Sequence, residues 1–175
     1  MAISVIDYGS GNLKSAAKAL ETAANNINSS QKAVVTSDPK IIKKSDKIVL
    51  PGQGSFRDCY LGIQKIPGLN EALNEFVLVK KKPILGICVG MQLFATFGDE
   101  DGGSDGLGWI GGEVKKINLK DLSLKLPHMG WNNIQISSNS KLLNGINNDS
   151  HFYFVHSYSF DVDEKKYVAA TTNYS

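Results

Sequence analysis

Only two cysteines, Cys59 and Cys88, occur in 175 residues. They are too few for a disulfide framework and fit a reducing compartment. Histidine is nearly as scarce, at three residues, and no His or Cys pair has zinc-ligand spacing, so no metal and no cofactor is expected. Long apolar runs are missing, so no membrane partner is expected. The opening Met-Ala-Ile-Ser-Val-Ile-Asp lacks the basic leader of a secretory signal. Positive charge is sparse as well. The formal balance is +2, with one short cluster at Lys80-Lys81-Lys82, which gives no support for nucleic acid as a main partner. There is no repeat, low-complexity tract or linker, so residues 1–175 are expected to form a single domain. The apolar share of 42% and charged share of 21% are those of an ordinary globular protein. Together these features predict a soluble, cytoplasmic domain.

What is present is an alternation of short apolar strands and helices. Residues 2–6 form a compact apolar run ended by Asp7 and the turn Gly9-Ser10-Gly11-Asn12. After it, Leu13, Ala16, Ala17, Leu20 and Ala24 recur at helical spacing. This turn has no third glycine at the dinucleotide spacing, which argues against a Rossmann cofactor site. Residues 33–36 and 47–50 read as further strands. Between them Asp38-Pro39 reads as a helix N-cap followed by proline at the first helical position. Residues 55–79 read as helical with a break at Pro67-Gly68, then a strand over 84–87 and a helix through Phe97. Such an order predicts an α/β fold with a mostly parallel, layered sheet and helices on both faces. Residues 98–108 read as a mobile acidic, glycine-rich loop. Beyond it, residues 112–117, 134–136, 151–160 and 167–172 read as strands with few helices, an antiparallel or mixed extension of the sheet.

One stretch carries candidate chemistry. Pro83-Ile84-Leu85-Gly86-Ile87-Cys88-Val89-Gly90-Met91-Gln92 runs from an apolar strand into a helix, with cysteine at the joint and glycine two residues to either side. That is the layout of a nucleophile elbow. The sharp turn leaves no room for side chains at the flanking positions. It presents the sulfur at the first turn of a helix, where unpaired N–H groups favour thiolate. The Val89 N–H would then face an oxyanion formed by sulfur attack on a carbonyl. The alternative is a buried core cysteine, a common fate of this residue type. Pro51-Gly52-Gln53-Gly54, at another strand end, could supply a second oxyanion N–H or be an ordinary turn. For a base the chain offers His128, His151 and His156, none with the neighbouring carboxylate of a compact triad. His156 shares one face of its run with Phe152, Phe154, Tyr158 and Phe160. On residue chemistry alone the base is missing.

Several motifs together resemble one family. Gly86-Ile87-Cys88-Val89-Gly90-Met91-Gln92-Leu93 is similar to the nucleophile motif of class I, triad-type glutamine amidotransferases, a flavodoxin-like fold. Four further runs narrow the resemblance to the glutaminase subunits of imidazole glycerol phosphate synthases. They are Asp7-Tyr8-Gly9-Ser10-Gly11-Asn12, Pro51-Gly52-Gln53-Gly54-Ser55-Phe56, Leu126-Pro127-His128-Met129-Gly130-Trp131-Asn132 and Phe152-Tyr153-Phe154-Val155-His156-Ser157-Tyr158.

The resemblance implies that Cys88 attacks the side-chain amide of glutamine, releasing ammonia and leaving a thioester for water. Val89 and the Gln53-Gly54 backbone would form the oxyanion hole. Gln92, Glu100 and the Ser157-Tyr158 backbone would hold the substrate. The implied partner is a (βα)8-barrel cyclase subunit that takes the ammonia through a channel, with residues 7–12, 128–132 and 153–158 toward it. The family also carries a catalytic His and Glu in a His-Pro-Glu segment near its C-terminus. This sequence, ending Asn173-Tyr174-Ser175, contains none. Either it is part of a longer protein or the triad is absent, and the chain as written is expected to be a poor glutaminase. Two other readings are a non-catalytic module that docks on the cyclase, and a glutaminase serving a related synthase such as one for surface-sugar amination.

Overall fold

The computed structural model describes residues 2–121, 123–137 and 140–174. Met1 of the opening run and Ser175 of the final tripeptide lie outside the described residues.

Strand β1 (Ala2–Ile6) leads through the glycine turn into α1 (Leu13–Asn26), then β2 (Lys32–Thr36), α2 (Pro39–Lys44) and β3 (Lys47–Gly52). Next come α3 (Phe56–Gln64), α4 (Leu69–Asn74), β4 (Ile84–Cys88) and α5 (Val89–Gln92). The four strands form one parallel sheet in the order β2-β1-β3-β4. Period-two alternation splits their side chains between two cores. Ile3, Val5 and Val49 meet the α1 stripe of Leu13, Ala16, Ala17 and Leu20. Ile6, Ile48 and Leu50 face the other way, into Phe56, Ile63, Leu69, Leu73 and Phe76. Each fully buried side chain of this size contributes roughly 1.5–3 kcal/mol.

Helix starts follow the local chemistry. The side chain of Asn12 accepts from the Ser15 N–H, Asp38 from Lys40 and Ser55 from Asp58, so each fills an orphan donor of the first turn. Gly68, at φ +78°, makes the left-handed joint before α4. The helical path then widens into a π turn over Glu75–Val79.

The second half departs from the expectation in detail. The strands are β5 (Phe97–Gly98), β6 (Ser104–Asp105), β7 (Gly112–Lys116), β8 (His128–Asn133), β9 (Gln135–Ile136), β10 (His151–His156), β11 (Tyr158–Val162) and β12 (Ala170–Thr171). They do not continue the parallel sheet. They form a mixed sheet β11-β7-β5-β6 and two antiparallel pairs, β10-β8 and β12-β9.

The helix after Cys88 is a single turn and does not reach Phe97. The carbonyls of Leu93, Phe94 and Ala95, which would have continued it, accept from residues 107–110 instead. Residues 128–132, outside the runs read as strand, are strand because β10 pairs with them from His151↔Asn133 to His156↔His128. The run 151–160 is two strands, broken at Ser157, because β10 joins β8 while β11 joins β7. Residues 98–108, read as a mobile loop, carry two short strands and a 3-10 turn at Glu100–Gly102. In the run 167–172 only Ala170–Thr171 is strand; a 3-10 turn at Lys165–Tyr167 comes before it.

Candidate active site

Cys88 ends β4 at φ +54° and ψ −122°, and its side chain is exposed. A non-glycine residue with such angles is strained and persists only where its surroundings hold it. Here the flanking glycines hold it, by close approach to other elements. A Cβ on Gly86 would overlap the Met91 backbone in α5, and one on Gly90 would overlap the Leu50 carbonyl of β3. The elbow is therefore wedged between its own strand's neighbour and its own helix. Val89, the first residue of that helix, is buried.

The sulfur opens on a cavity of about 380 Å³, within the usual span for small-molecule sites. Gln53, Gly54, Val89, Gln92, Glu100, Ser157 and Tyr158, all singled out from sequence, line it together with Cys88. Cys88 also borders a second cavity of about 410 Å³, on the side of Asn12, Ser15 and Pro51. The larger space of about 770 Å³ lies behind the Gln53-Gly54 turn, between Tyr8, Ser10 and Lys65, and does not reach Cys88.

Around the first cavity the polar groups are fixed. Gln92 is buried and donates from Nε2 to the Tyr158 carbonyl at 3.0 Å. Glu100 Oε2 accepts from the Phe56 N–H at 2.7 Å, which ties the acidic segment to the start of α3. The Ser157 carbonyl accepts from the Ile117 N–H. The Tyr158 carbonyl accepts from both Gln92 and His156, which fills both of its lone pairs.

The Gln53 N–H is not aimed at the sulfur. It donates to Ser10 Oγ at 3.0 Å, and that hydroxyl donates back to the Gln53 carbonyl at 2.6 Å. In this conformation a hydroxyl across the turn holds the Gln53 N–H that was expected to serve the oxyanion hole. Because the next peptide is planar and trans, its Gly54 N–H points away from Ser10. Cys59 also donates to the Gln53 carbonyl through Sγ, at 3.5 Å. Tyr8 donates from its hydroxyl to the Pro51 carbonyl at 2.5 Å, and burial pushes its ionisation far above the usual phenol range. Nothing in the composition signalled this clamp of Tyr8, Ser10 and Cys59 on the turn. The only hint was two glycine turns at neighbouring strand ends.

No histidine stands beside Cys88 with an uncommitted ring nitrogen. His156 lines the Cys88 cavity but is bonded at both nitrogens, His128 is buried and bonded at both, and His151, exposed at the start of β10, does not line the cavity. Among the described residues no three His, Cys, Asp or Glu side chains gather where a metal ion could sit. No helix among them is long and apolar enough to cross a membrane.

A strained, exposed cysteine at a strand–helix elbow, on a parallel α/β sheet, is the arrangement of a cysteine-nucleophile α/β protein, and residues 4–175 match the family described as glutamine amidotransferase class-I. The chain belongs to that family. It is 50% identical over 176 residues to imidazole glycerol phosphate synthase subunit HisH of Pelagibacter ubique, covering 100% of this chain and 83% of that one. It is 53% identical over 161 residues to the subunit of the same name from Rhodospirillum rubrum, covering 91% of this chain and 75% of the relative. Among solved structures, a glutamine amidotransferase aligns with a TM-score of 0.68 at 13% identity, covering 96% of this chain and 78% of the other. A protein from Thermoplasma acidophilum, described as belonging to a GMP synthase, aligns with a TM-score of 0.61 at 17% identity, covering 98% and 73%. These two likenesses establish the fold.

Proposed function

We infer that this chain is the glutamine-hydrolysing subunit of an imidazole glycerol phosphate synthase, working in the cytoplasm in histidine biosynthesis. The observation that carries the reading is the shared cavity. An exposed cysteine at a strained elbow stands in one small space with Gln92, Glu100 and the Gly54 and Val89 backbone. Half of the residues are shared with relatives that bear that subunit's name.

In this mechanism the Cys88 thiolate attacks the side-chain amide carbon of glutamine. The carbonyl oxygen becomes an oxyanion opposite the Val89 N–H. Collapse breaks the C–N bond, a proton passes to the departing nitrogen, and ammonia leaves a glutamyl thioester that water cleaves to glutamate. The proton transfers fall to a base other than His128, His151 and His156. Glu100 is the counter-charge for the substrate α-ammonium. Gln92, with Nε2 committed to Tyr158, offers its Oε1 as an acceptor. With the Tyr158 carbonyl engaged twice, the Ser157-Tyr158 segment contacts the substrate through its N–H groups and side chains.

The Gln53 N–H joins the oxyanion hole only once it leaves Ser10. Ammonia release is thereby tied to a movement of the Pro51–Gly54 turn. The second opening beside Asn12 and Ser15 gives ammonia an exit that does not retrace the entry of glutamine.

The partner is a (βα)8-barrel cyclase. Its docking face is the outward side of β8 and β10, where Met129, Trp131, Tyr153 and Val155 form an apolar ladder 60%, 72%, 57% and 53% exposed. Aromatic and methionine side chains of this kind concentrate at protein interfaces. Val155 also lines the Cys88 cavity, so the ladder borders the substrate site.

The test uses an electrophilic glutamine analogue, with the labelled residue found by peptide mass mapping. Labelling of Cys88, suppressed by glutamine and lost in Cys88→Ser, is the expected result. Labelling elsewhere, or indifference to glutamine, overturns the reading.

A further inference from the structure

Behind the apolar ladder, on the inward side of β8 and β10, lies a polar chain that the mechanism does not use. His156 Nδ1 lies 2.8 Å from the Tyr158 carbonyl oxygen. His156 Nε2 lies 3.2 Å from His128 Nδ1, and His128 Nε2 lies 3.2 Å from Asn132 Nδ2. The same Asn132 Nδ2 donates to the Asn173 carbonyl at 2.9 Å, while Asn132 Oδ1 accepts from the Asn133 N–H.

Both ends of this chain have fixed polarity. A carbonyl oxygen only accepts, so His156 must carry its proton on Nδ1. The Asn132 amide nitrogen only donates, so His128 Nε2 must be the bare, accepting nitrogen. The one proton left between the rings then sits on His128 Nδ1 and is given to His156 Nε2. Every donor runs in one direction, from Asn132 through two neutral imidazoles to the Tyr158 oxygen. An extra proton on either ring would set two donors against each other, so the chain exists only with both rings neutral.

The end point matters because the Tyr158 oxygen also holds Gln92 Nε2. Its second donor, His156, sets where that oxygen stands, and the oxygen sets which way the Gln92 amide faces the cavity.

We propose that His128 and His156 are positioning residues: locked in their Nδ1–H tautomers, they fix the Tyr158 carbonyl and through it orient Gln92 toward bound glutamine. The ring of His128 is stacked between Phe154, at 4.7 Å, and Tyr174, at 3.9 Å, which prevents it from turning over. This inference rests on the glutamine reading above, and its test separates the two.

The measurement is protection of Cys88 from iodoacetamide by glutamine, followed by peptide mass and normalised to each protein's own rate without glutamine. The parent chain is protected. His156→Leu, which removes the donor to Tyr158, needs about tenfold more glutamine for the same protection. His156→Asn, which keeps a donor near the Nδ1 position, stays within about twofold of the parent. Equal protection in all three overturns the proposal and leaves the glutamine reading standing, whereas no protection in the parent overturns both.

A second readout needs no variant. In side-chain nitrogen NMR spectra of the parent, recorded above the imidazole titration range, both rings show the Nδ1–H form. An Nε2–H form on either ring overturns the chain, whether or not His156→Leu folds.

Discussion

Glu100, which lines the Cys88 cavity, is tied to the first turn of α3, where its Oε2 accepts the Phe56 N–H at 2.7 Å. A residue assigned to the substrate ammonium is thus also a helix cap, and the two duties can be separated. Glu100→Gln keeps an acceptor for Phe56 but loses the negative charge. Its thermal unfolding should stay near the parent's, while glutamine protection of Cys88 weakens at least about tenfold. Glu100→Ala loses both and should cost about 1 kcal/mol of stability as well. Unchanged protection in Glu100→Gln would leave the carboxylate as a cap and nothing more.

Ser10 restrains the turn that, on the proposed mechanism, completes the oxyanion hole. It holds the Gln53 peptide by one bond in each direction. Removing the hydroxyl leaves the Gln53 N–H without that acceptor and lowers the barrier to turning it toward Cys88. Ser10→Ala should raise the rate at which an electrophilic glutamine analogue labels Cys88, by about two- to tenfold, the worth of one such bond. A rate that falls or stays level would mean that the restraint is not what keeps the donor away.

The parallel half of this fold was legible because its residues carry local signals. Asp38-Pro39 acts as the cap its chemistry suggests, and the α1 stripe meets the sheet at the expected positions. The second half was harder because its strands are defined by distant partners. Residues 128–132 mix polar, apolar and glycine residues and lack β-branched side chains, and they become strand only through β10, far along the chain. The break at Ser157 is likewise invisible locally, since two different strands claim the halves of one apolar run. Cys88 was legible because strain needs glycines nearby, and glycines can be read. The bonds of Ser10, Cys59, His128 and His156 were not, since an isolated hydroxyl, thiol or imidazole has no pattern.

Gly90 is the position where the elbow tolerates least. Its added Cβ would fall on the Leu50 carbonyl, a backbone atom of a buried strand with nowhere to move. Gly54, by contrast, has open space around it but a φ of +100°. Gly90→Ala should therefore destabilise by about 3 kcal/mol or more, seen as a large drop in the denaturant midpoint. Gly54→Ala should cost about 1 kcal/mol from backbone strain alone. Similar midpoints for the two variants would contradict the packing of the elbow against β3.

Trp131 and Tyr153 meet edge to face, 5.7 Å between ring centres, on the outward side of β8 and β10. A wide aromatic pair left in water contributes little to folding and much to a partner that covers it. Trp131→Ala should weaken binding to the proposed cyclase partner by about 2 kcal/mol, or roughly thirtyfold, in a titration calorimeter. Its thermal unfolding should hardly move, because the ring is mostly exposed in the free chain. A large loss of stability with intact binding would make the ladder part of this chain's own core and move the docking face elsewhere.

The burial of His128 gives the fold a pH dependence of predictable sign. Desolvation, and secondarily the neighbouring His156, hold its ring below the usual imidazole range, while in the unfolded chain it titrates at about 6.5. Between those two values the unfolded state binds a proton that the folded state refuses, and stability rises with pH. The contribution is therefore complete above the unfolded value and is lost as the pH falls from there through the folded one. Chemical unfolding of the parent should show its midpoint declining on that acid side, and His128→Asn should flatten the decline. The chain of bonds to Tyr158 breaks on the same proton, so glutamine protection of Cys88 should weaken together with stability. A midpoint that instead rises on acidification would show that His128 folds in its charged form.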